Sequence, residues 1–140
     1  MTVQEATSDA VITACFSVMA QLRPYLLDDE FLPRVRRQME TGYRLAYADH
    51  DGRPVAVAGF RVIENLAWGR FLYVDDLITD ERARSQGHGE RLFDWLLAEA
   101  DRQGCEQLHL DSGVQRFAAH RFYFRERMDI TSYHFARKVP

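Results

Sequence analysis

The stretch from residue 71 to residue 111 constrains the fold most, because it predicts a strand, a loop, a helix and a second strand in direct succession. Residues 71–79 are rich in aromatic and branched side chains, which is typical of a strand, and residues 107–111 follow as a second short strand. The helix between these strands carries one apolar stripe, and Arg91, Asp94 and Glu99 lie off it. Such a unit predicts a right-handed crossover within one sheet. Gly104 is the predicted end of the helix, and the stripe consists of Leu92, Phe93, Leu96, Leu97 and Ala100.

Two glycines mark the loop before this helix, whose sequence from residue 84 to residue 89 is Arg-Ser-Gln-Gly-His-Gly. Because glycine has no Cβ, Gly87 and Gly89 let several backbone N–H groups approach an anion closely. The helix start adds its positive dipole end, and Arg84 adds a guanidinium suited to phosphate oxygens. The loop therefore predicts a phosphate site, with an ordinary turn as the alternative. A Walker loop would need Gly-Lys-Ser/Thr, and a dinucleotide loop would need glycine at Leu92.

The spacing Arg84-x-x-Gly87-x-Gly89, between such a strand and such a helix, resembles the acyl-CoA signature of the GNAT superfamily of N-acyltransferases. Residues 116–123 resemble the late helix of that family, in which an alanine, here Ala119, precedes a tyrosine, here Tyr123, by four positions. The order of predicted elements along nearly the whole chain is also similar to that family. The resemblance implies acetyl transfer from acetyl-CoA to an amine by direct attack in a ternary complex, without a metal.

The resemblance also implies which residues bind acetyl-CoA. The pantetheine arm would lie along the main chain of the strand before the loop, and the pyrophosphate would bind loop N–H groups beside the arginine. Glu90 is expected to face solvent at the helix start, and His88 is expected to be a spacer. The implied cofactor-binding residues are Leu77, Ile78, Thr79, Arg84, Ser85, Gln86, Gly87, His88, Gly89 and Glu90.

Tyr123 is matched to the family tyrosine that protonates the departing thiolate, and a phenol is neutral at pH 7. A packed core tyrosine is the alternative. Asp75 and Asp76 are candidate bases, because charged residues in the middle of a strand are uncommon unless they face a cleft. His109 and Asp111 on the partner strand could also relay a proton. The alternative is that Asp75 or Asp76 pairs with an arginine.

The acceptor is expected to be a small-molecule or peptide amine. In the resembling family the first two helices border the acceptor site, so Tyr25, Leu26 and Phe31 are pocket candidates. The arginines 34, 36 and 37 predict a solvated face, with contact to the acceptor or to the adenosine 3′-phosphate as the alternative. A non-catalytic acyl-CoA-binding module and a nucleotide-dependent phosphate site remain open. A homodimer is compatible with the family.

The remaining pattern predicts an α/β fold: a mixed, mostly antiparallel sheet with helices on both faces. The resemblance implies that its central unit of strand, loop, helix and strand is the acyl-CoA unit. We expect a strand at residues 3–6 and one helix from Ser8 or Asp9 to about Pro24. A second helix is capped by Asp28 or Asp29, has Pro33 near its first turn and stops at Gly42. Three antiparallel strands follow at residues 43–48, 54–63 and 71–79, and a last strand is predicted at residues 130–136.

Composition limits the class of protein further. A chain of 140 residues with 46% hydrophobic content is large enough for a core, so residues 1–140 are expected to form a single domain. A net charge of −3 predicts no general attraction to nucleic acid or anionic membranes. The sequence shows no signal segment and no apolar run of about 20 residues, so a cytoplasmic protein is expected. The widely separated Cys15 and Cys105 are expected to be free thiols, and no metal is expected.

Overall fold

A computed structural model describes residues 2–140 as two compact units, residues 2–109 and residues 110–140. The first unit contains a five-stranded sheet in the order β1-β2-β3-β4-β5, in which strands β1 to β4 pair antiparallel. Its strands are β1 Thr2–Glu5, β2 Arg44–His50, β3 Arg53–Asn65, β4 Gly69–Thr79 and β5 Gln107–Leu110, the last residue of which belongs to the second unit. Its helices are α1 Asp9–Ala14, α2 Phe16–Leu22, α3 Asp28–Met39 and α4 His88–Arg102.

The two faces of the sheet pack against different helices, as the alternation of β2 dictates. Leu45 and Tyr47 belong to a core with Ile12, Val18 and Val35 from the three amino-terminal helices. The next residues along β2 face the other way. Arg44 pairs with Glu99 of α4, and the Phe60 ring of β3 contacts Trp95 of α4. The α/β fold with helices on both faces of a mixed sheet is therefore confirmed.

Several boundaries differ from the predicted ones. A turn at Cys15 divides the expected first helix into α1 and α2, although Ser8 does cap it by accepting from the Val11 N–H at 3.2 Å. The predicted caps Asp28 and Asp29 are wrong, because α3 begins at Asp28 and its acids lie in the first turn, where they favour the helix dipole. Pro33 lies inside α3, beyond the first turn where it was expected.

The buried face of α4 differs from the predicted apolar stripe at two positions. Leu97 is 45% exposed, whereas Glu99 is only 5% exposed. The stripe prediction was wrong at these two positions, because Glu99 forms ion pairs with Arg44 and Arg102 and a hydrogen bond with Gln103. Burial by itself would raise the pKa of Glu99, but these hydrogen bonds hold it below its ordinary value. A buried charge is tolerated when it is paired in this way.

The second unit contains one helix, α5 Phe117–Arg125. The Nε2 atom of His120, within α5, lies 2.8 Å from the carbonyl oxygen of Gly113, which precedes the helix. The predicted strand at residues 130–136 is wrong, since this segment has no strand pairing and Ile130, Tyr133 and Phe135 are exposed. A strand needs both a ladder partner and an apolar face to bury. The single-domain organisation of the chain stays a prediction.

Candidate active site

A β-bulge in β4 places two consecutive carboxylates on one side of the sheet. Gly59 of β3 is opposite Asp76, but the next residue, Phe60, is opposite Val74, so Asp75 is an extra residue on β4. Consecutive residues of a regular strand face opposite sides, and a bulge removes this alternation locally. Asp75 and Asp76 therefore both line a cavity of about 370 Å³. A regular strand would have directed one of them to the α4 side.

Asp76 uses both of its oxygens. The Tyr43 hydroxyl donates to one oxygen at 2.8 Å, and Arg23 donates to the other at 3.0 Å from Nε. Gly59 makes this arrangement possible, because a Cβ there would lie 1.9 Å from the Tyr43 hydroxyl oxygen and 2.5 Å from the carboxylate. Burial raises the pKa of Tyr43 well above its ordinary value, and the adjacent carboxylates add to this effect. Tyr43 is therefore a neutral donor that fixes the orientation of Asp76.

Asp75 keeps one oxygen available. Arg61 donates from Nε to Oδ2 at 2.9 Å, while Oδ1 is buried and has no hydrogen-bond partner among residues 2–140. Burial raises the pKa of Asp75 above its ordinary value, although Arg61 opposes that shift. Each aspartate thus pairs with an arginine, as the alternative expectation had it, and both also line a cleft. Of the two, Asp75 has the acceptor position that could receive a proton.

The amino-terminal helices provide the opposite wall of the cavity. Tyr25, Leu26 and Phe31 line it, as the sequence predicted for pocket candidates. Several lining residues were missed, because their spacing in the sequence gives no signal of a shared site. These residues are Met19, Arg23, Arg34, Val35, Gln38, Tyr43 and Tyr73.

The loop before α4 has the backbone conformation of an anion site. Gly87 has φ of 82° and ψ of 7°, and the right-handed helix begins at the next residue, so consecutive N–H groups turn to one side. The first four N–H groups of a helix have no partner within it, and here they belong to Gly87, His88, Gly89 and Glu90. Ser85 also has positive φ, at 65°, a strained value for a residue with a Cβ.

The side chains of this loop divide into exposed and buried ones. Arg84 and Glu90 are exposed, and the Arg91 guanidinium folds back to within 3.4 Å of the Gln86 carbonyl oxygen. Sequence reasoning missed Arg91, although it lies one helical turn after Gly87. His88 is buried, and its pKa is lowered by burial and by the neighbouring His50 and Arg91. A neutral, buried imidazole agrees with a spacer role for its side chain. The N–H groups at this helix start and the two arginines are the kind of donors that bind a pyrophosphate.

The carboxyl end of β4 has a backbone edge that β5 does not reach. The Glu106 N–H donates to the Arg70 carbonyl, so β5 starts beside the beginning of β4. At about 3.3 Å per residue, a strand of four residues ends well before Leu77. On the other side, Leu77, Ile78 and Thr79 are paired with β3. An extended ligand could therefore add to this free edge as a strand does.

Two other predicted site residues, His109 and Tyr123, are not among the residues that line the cavity. His109 is stacked on Trp68 with ring centroids 3.8 Å apart and also contacts Phe71, so its ring is packed. Tyr123 lies on α5 in the second unit, where burial raises the pKa of its phenol and Arg116 opposes the shift. Tyr123 is thus neutral at pH 7.

Comparison with known proteins identifies the class to which this fold and these sites belong. The model of the acetyltransferase (GNAT) family matches residues 12–128. A Bacillus subtilis protein described as the uncharacterized N-acetyltransferase YhdJ is 29% identical over 139 residues, which cover 97% of each chain. The chain therefore belongs to the GNAT family of acetyltransferases, enzymes that transfer an acetyl group from acetyl-CoA to an amine.

Solved structures show the same fold. A putative acetyltransferase from Agrobacterium tumefaciens superposes with a TM-score of 0.85 at 20% identity, covering 99% of this chain and 100% of that one. AAC(6′)-Iy, solved in complex with the bisubstrate analogue CoA-S-monomethyl-acetylneamine, superposes with a TM-score of 0.85 at 13% identity, covering 99% of this chain and 98% of that one.

Among the described helices, none is long and apolar enough to cross a membrane.

Proposed function

We propose that the cavity beside β4 is the acceptor site and that residues 84–90 bind the pyrophosphate of acetyl-CoA. The main support for this proposal is that β4 runs past both proposed binding sites. Its bulge turns Asp75 and Asp76 into the cavity, and its free edge at Leu77–Thr79 leads within a few residues to the loop before α4. One strand thus borders both proposed binding sites. An amine in the cavity would lie beside the thioester end of an extended pantetheine arm.

The proposed reaction is direct attack of the amine on the acetyl carbonyl. The C–N bond forms, the C–S bond breaks, the amine loses one proton and the departing thiolate gains one. Asp75 is the proposed base, because its Oδ1 has no partner and its pKa is raised. A small rotation of the carboxyl group or a bridging water would bring the proton to this buried atom. The resemblance of residues 116–123 to the family helix supports Tyr123 as the proton donor.

Positioning of the two substrates should contribute more than either proton-transfer group. Holding two reactants in contact can contribute about 7–11 kcal/mol, whereas a positioned acid or base adds roughly 10²- to 10⁴-fold in rate. Asp76, held by Tyr43 and Arg23, is therefore proposed as a positioning residue on the cavity wall. We further propose that residues 1–140 act as one domain in the cytoplasm.

Steady-state kinetics with an amine panel test this function. Thiol release from acetyl-CoA should depend on the amine, one acetylated amine should form per thiol, and double-reciprocal plots should intersect. Parallel plots would indicate a covalent acetyl-enzyme and contradict direct attack. Acetyl-CoA binding without amine-dependent thiol release for any acceptor would instead favour a non-catalytic binding module.

A further inference from the structure

Two arginines and two aspartates line the cavity, and each aspartate already has an arginine partner. Asp76 is paired with Arg23, and Asp75 is paired with Arg61. Arg34 of α3 also lines the cavity, but it makes no ion pair or hydrogen bond with any of residues 2–140. The cavity therefore presents one half-buried guanidinium without an ion pair or hydrogen bond to residues 2–140.

We infer that the acceptor is a small amine that also bears a carboxylate, and that Arg34 binds this carboxylate. This inference rests on the proposed acceptor role of the cavity. The amine would lie on the β4 side, where both carboxylates are, and the acid group would lie on the α3 side. A guanidinium matches a single carboxylate with two parallel N–H donors.

The other lining residues favour an amino acid with an apolar side chain. Met19, Leu26, Phe31 and Val35 are apolar and line the same cavity as the charged groups. The volume of about 370 Å³ is near the lower end of the roughly 300–1,000 Å³ typical of small-molecule sites. An acceptor of the size of phenylalanine suits this volume, and its ring would contact these apolar side chains.

Two other classes of amine suit the cavity less well. A polyamine or aminosugar carries several positive charges, and the cavity offers it no unpaired carboxylate. A phosphate-bearing amine carries close to two negative charges, which usually require several cationic donors. Arg34 is a single donor group.

The test compares L-phenylalanine with phenethylamine, which lacks only the carboxylate, in the thiol-release assay. Wild type, Arg34→Gln, Arg34→Lys and Arg37→Gln are measured, with spermidine and phosphoethanolamine as further acceptors. Arg37 is an exposed residue of α3 that does not line the cavity, so it is the matched control. The ratio of kcat/KM for phenylalanine over phenethylamine is compared between variants, because the intrinsic reactivities of the two amines then cancel.

Arg34→Gln should lower this ratio roughly 10- to 100-fold through a higher KM for phenylalanine, because a charge-assisted hydrogen bond is lost. Arg34→Lys should restore part of it, and Arg37→Gln should leave it unchanged. An unchanged ratio in Arg34→Gln would overturn the inference. Preference of the wild type for phenethylamine, spermidine or phosphoethanolamine would overturn it without any variant, and would leave the proposed acetyl transfer standing. Absence of amine-dependent thiol release with every acceptor would overturn both.

Discussion

At the scale of single residues, the two carboxylates of β4 differ in what remains for a substrate. Asp76 accepts from Tyr43 and Arg23, so both of its oxygens are occupied. The Asp75 carboxylate accepts only from Arg61 and retains a buried oxygen without a partner among residues 2–140. An orphaned buried acceptor is rare and is often explained by function. This difference supports the separate roles proposed for the two neighbours, proton acceptor for Asp75 and positioning group for Asp76.

Replacing Asp75 by asparagine should reduce kcat about 100-fold, because the amide cannot accept a proton from the amine. The pKa of Asp75 is raised above its ordinary value of 3.8, so kcat/KM of the wild type should fall as pH decreases through that raised pKa. The acidic limb should be absent from the profile of Asp75→Asn. The pH dependence of kcat/KM for both proteins measures this. Equal profiles in the two proteins would exclude Asp75 as the base.

Tyr123→Phe should lower turnover while leaving acetyl-CoA affinity nearly intact. The phenol is held neutral by burial, so it can donate a proton at pH 7, and phenylalanine keeps the ring but removes the donor. Single-turnover kinetics together with calorimetry of acetyl-CoA binding separate the two effects. Unchanged turnover would show that Tyr123 is only a packed aromatic residue.

At the scale of elements, α4 is attached to the sheet by a buried ion pair as well as by apolar contacts. Glu99 lies 2.9 Å from the Nη1 atom of Arg44 in β2, and it is nearly inaccessible. Removing Glu99 would leave Arg44 with Glu5 as its charged partner, so the guanidinium would lose part of its compensation on the α4 side. Because α4 begins with the proposed phosphate loop, this pair also helps to hold that loop against the sheet.

Glu99→Gln should reduce the free energy of unfolding by roughly 2–4 kcal/mol at pH 7. The pKa of Glu99 is lowered in the folded protein, so its contribution is present above its ordinary value of 4.5 and is lost as pH falls through the lowered pKa. The stability difference from wild type should therefore shrink under acidic conditions. Urea denaturation at several pH values measures it, with the exposed Asp94→Asn on the same helix as control. A difference that does not depend on pH would contradict the role of the charge.

The elements also show where sequence patterns predict structure well. Strands β2, β3 and β4 were predicted to within a few residues, because alternation and turn signals coincide there. The segment 130–136 has the same local pattern but no ladder partner, and pairing cannot be predicted from local pattern alone. Likewise, Asp75 and Asp76 were predicted as site candidates, and Gly59 within a strand indicates a bulge or a close backbone approach, but the sequence does not show that the bulge turns both carboxylates into one cavity. A bulge depends on the register with β3, which no single strand encodes.

At the scale of the whole molecule, the family match from residue 12 to residue 128 includes sequence from both compact units. We therefore expect thermal unfolding to be a single cooperative transition, as for most single domains under about 150 residues. Circular dichroism in the far and near ultraviolet, followed in the same melt, should give coincident midpoints. Two separate transitions would contradict the single-domain proposal.

The central claim is that the loop before α4 binds the pyrophosphate of acetyl-CoA. Calorimetry of acetyl-CoA binding tests it with wild type, Gly87→Trp, Gly89→Trp and Gly104→Trp. Gly104, at the other end of α4, also has positive φ, at 72°, so its variant carries similar backbone strain away from the loop. We predict that wild type and Gly104→Trp bind acetyl-CoA, whereas both loop variants do not. Binding by Gly87→Trp and Gly89→Trp with the affinity of the wild type would contradict the account.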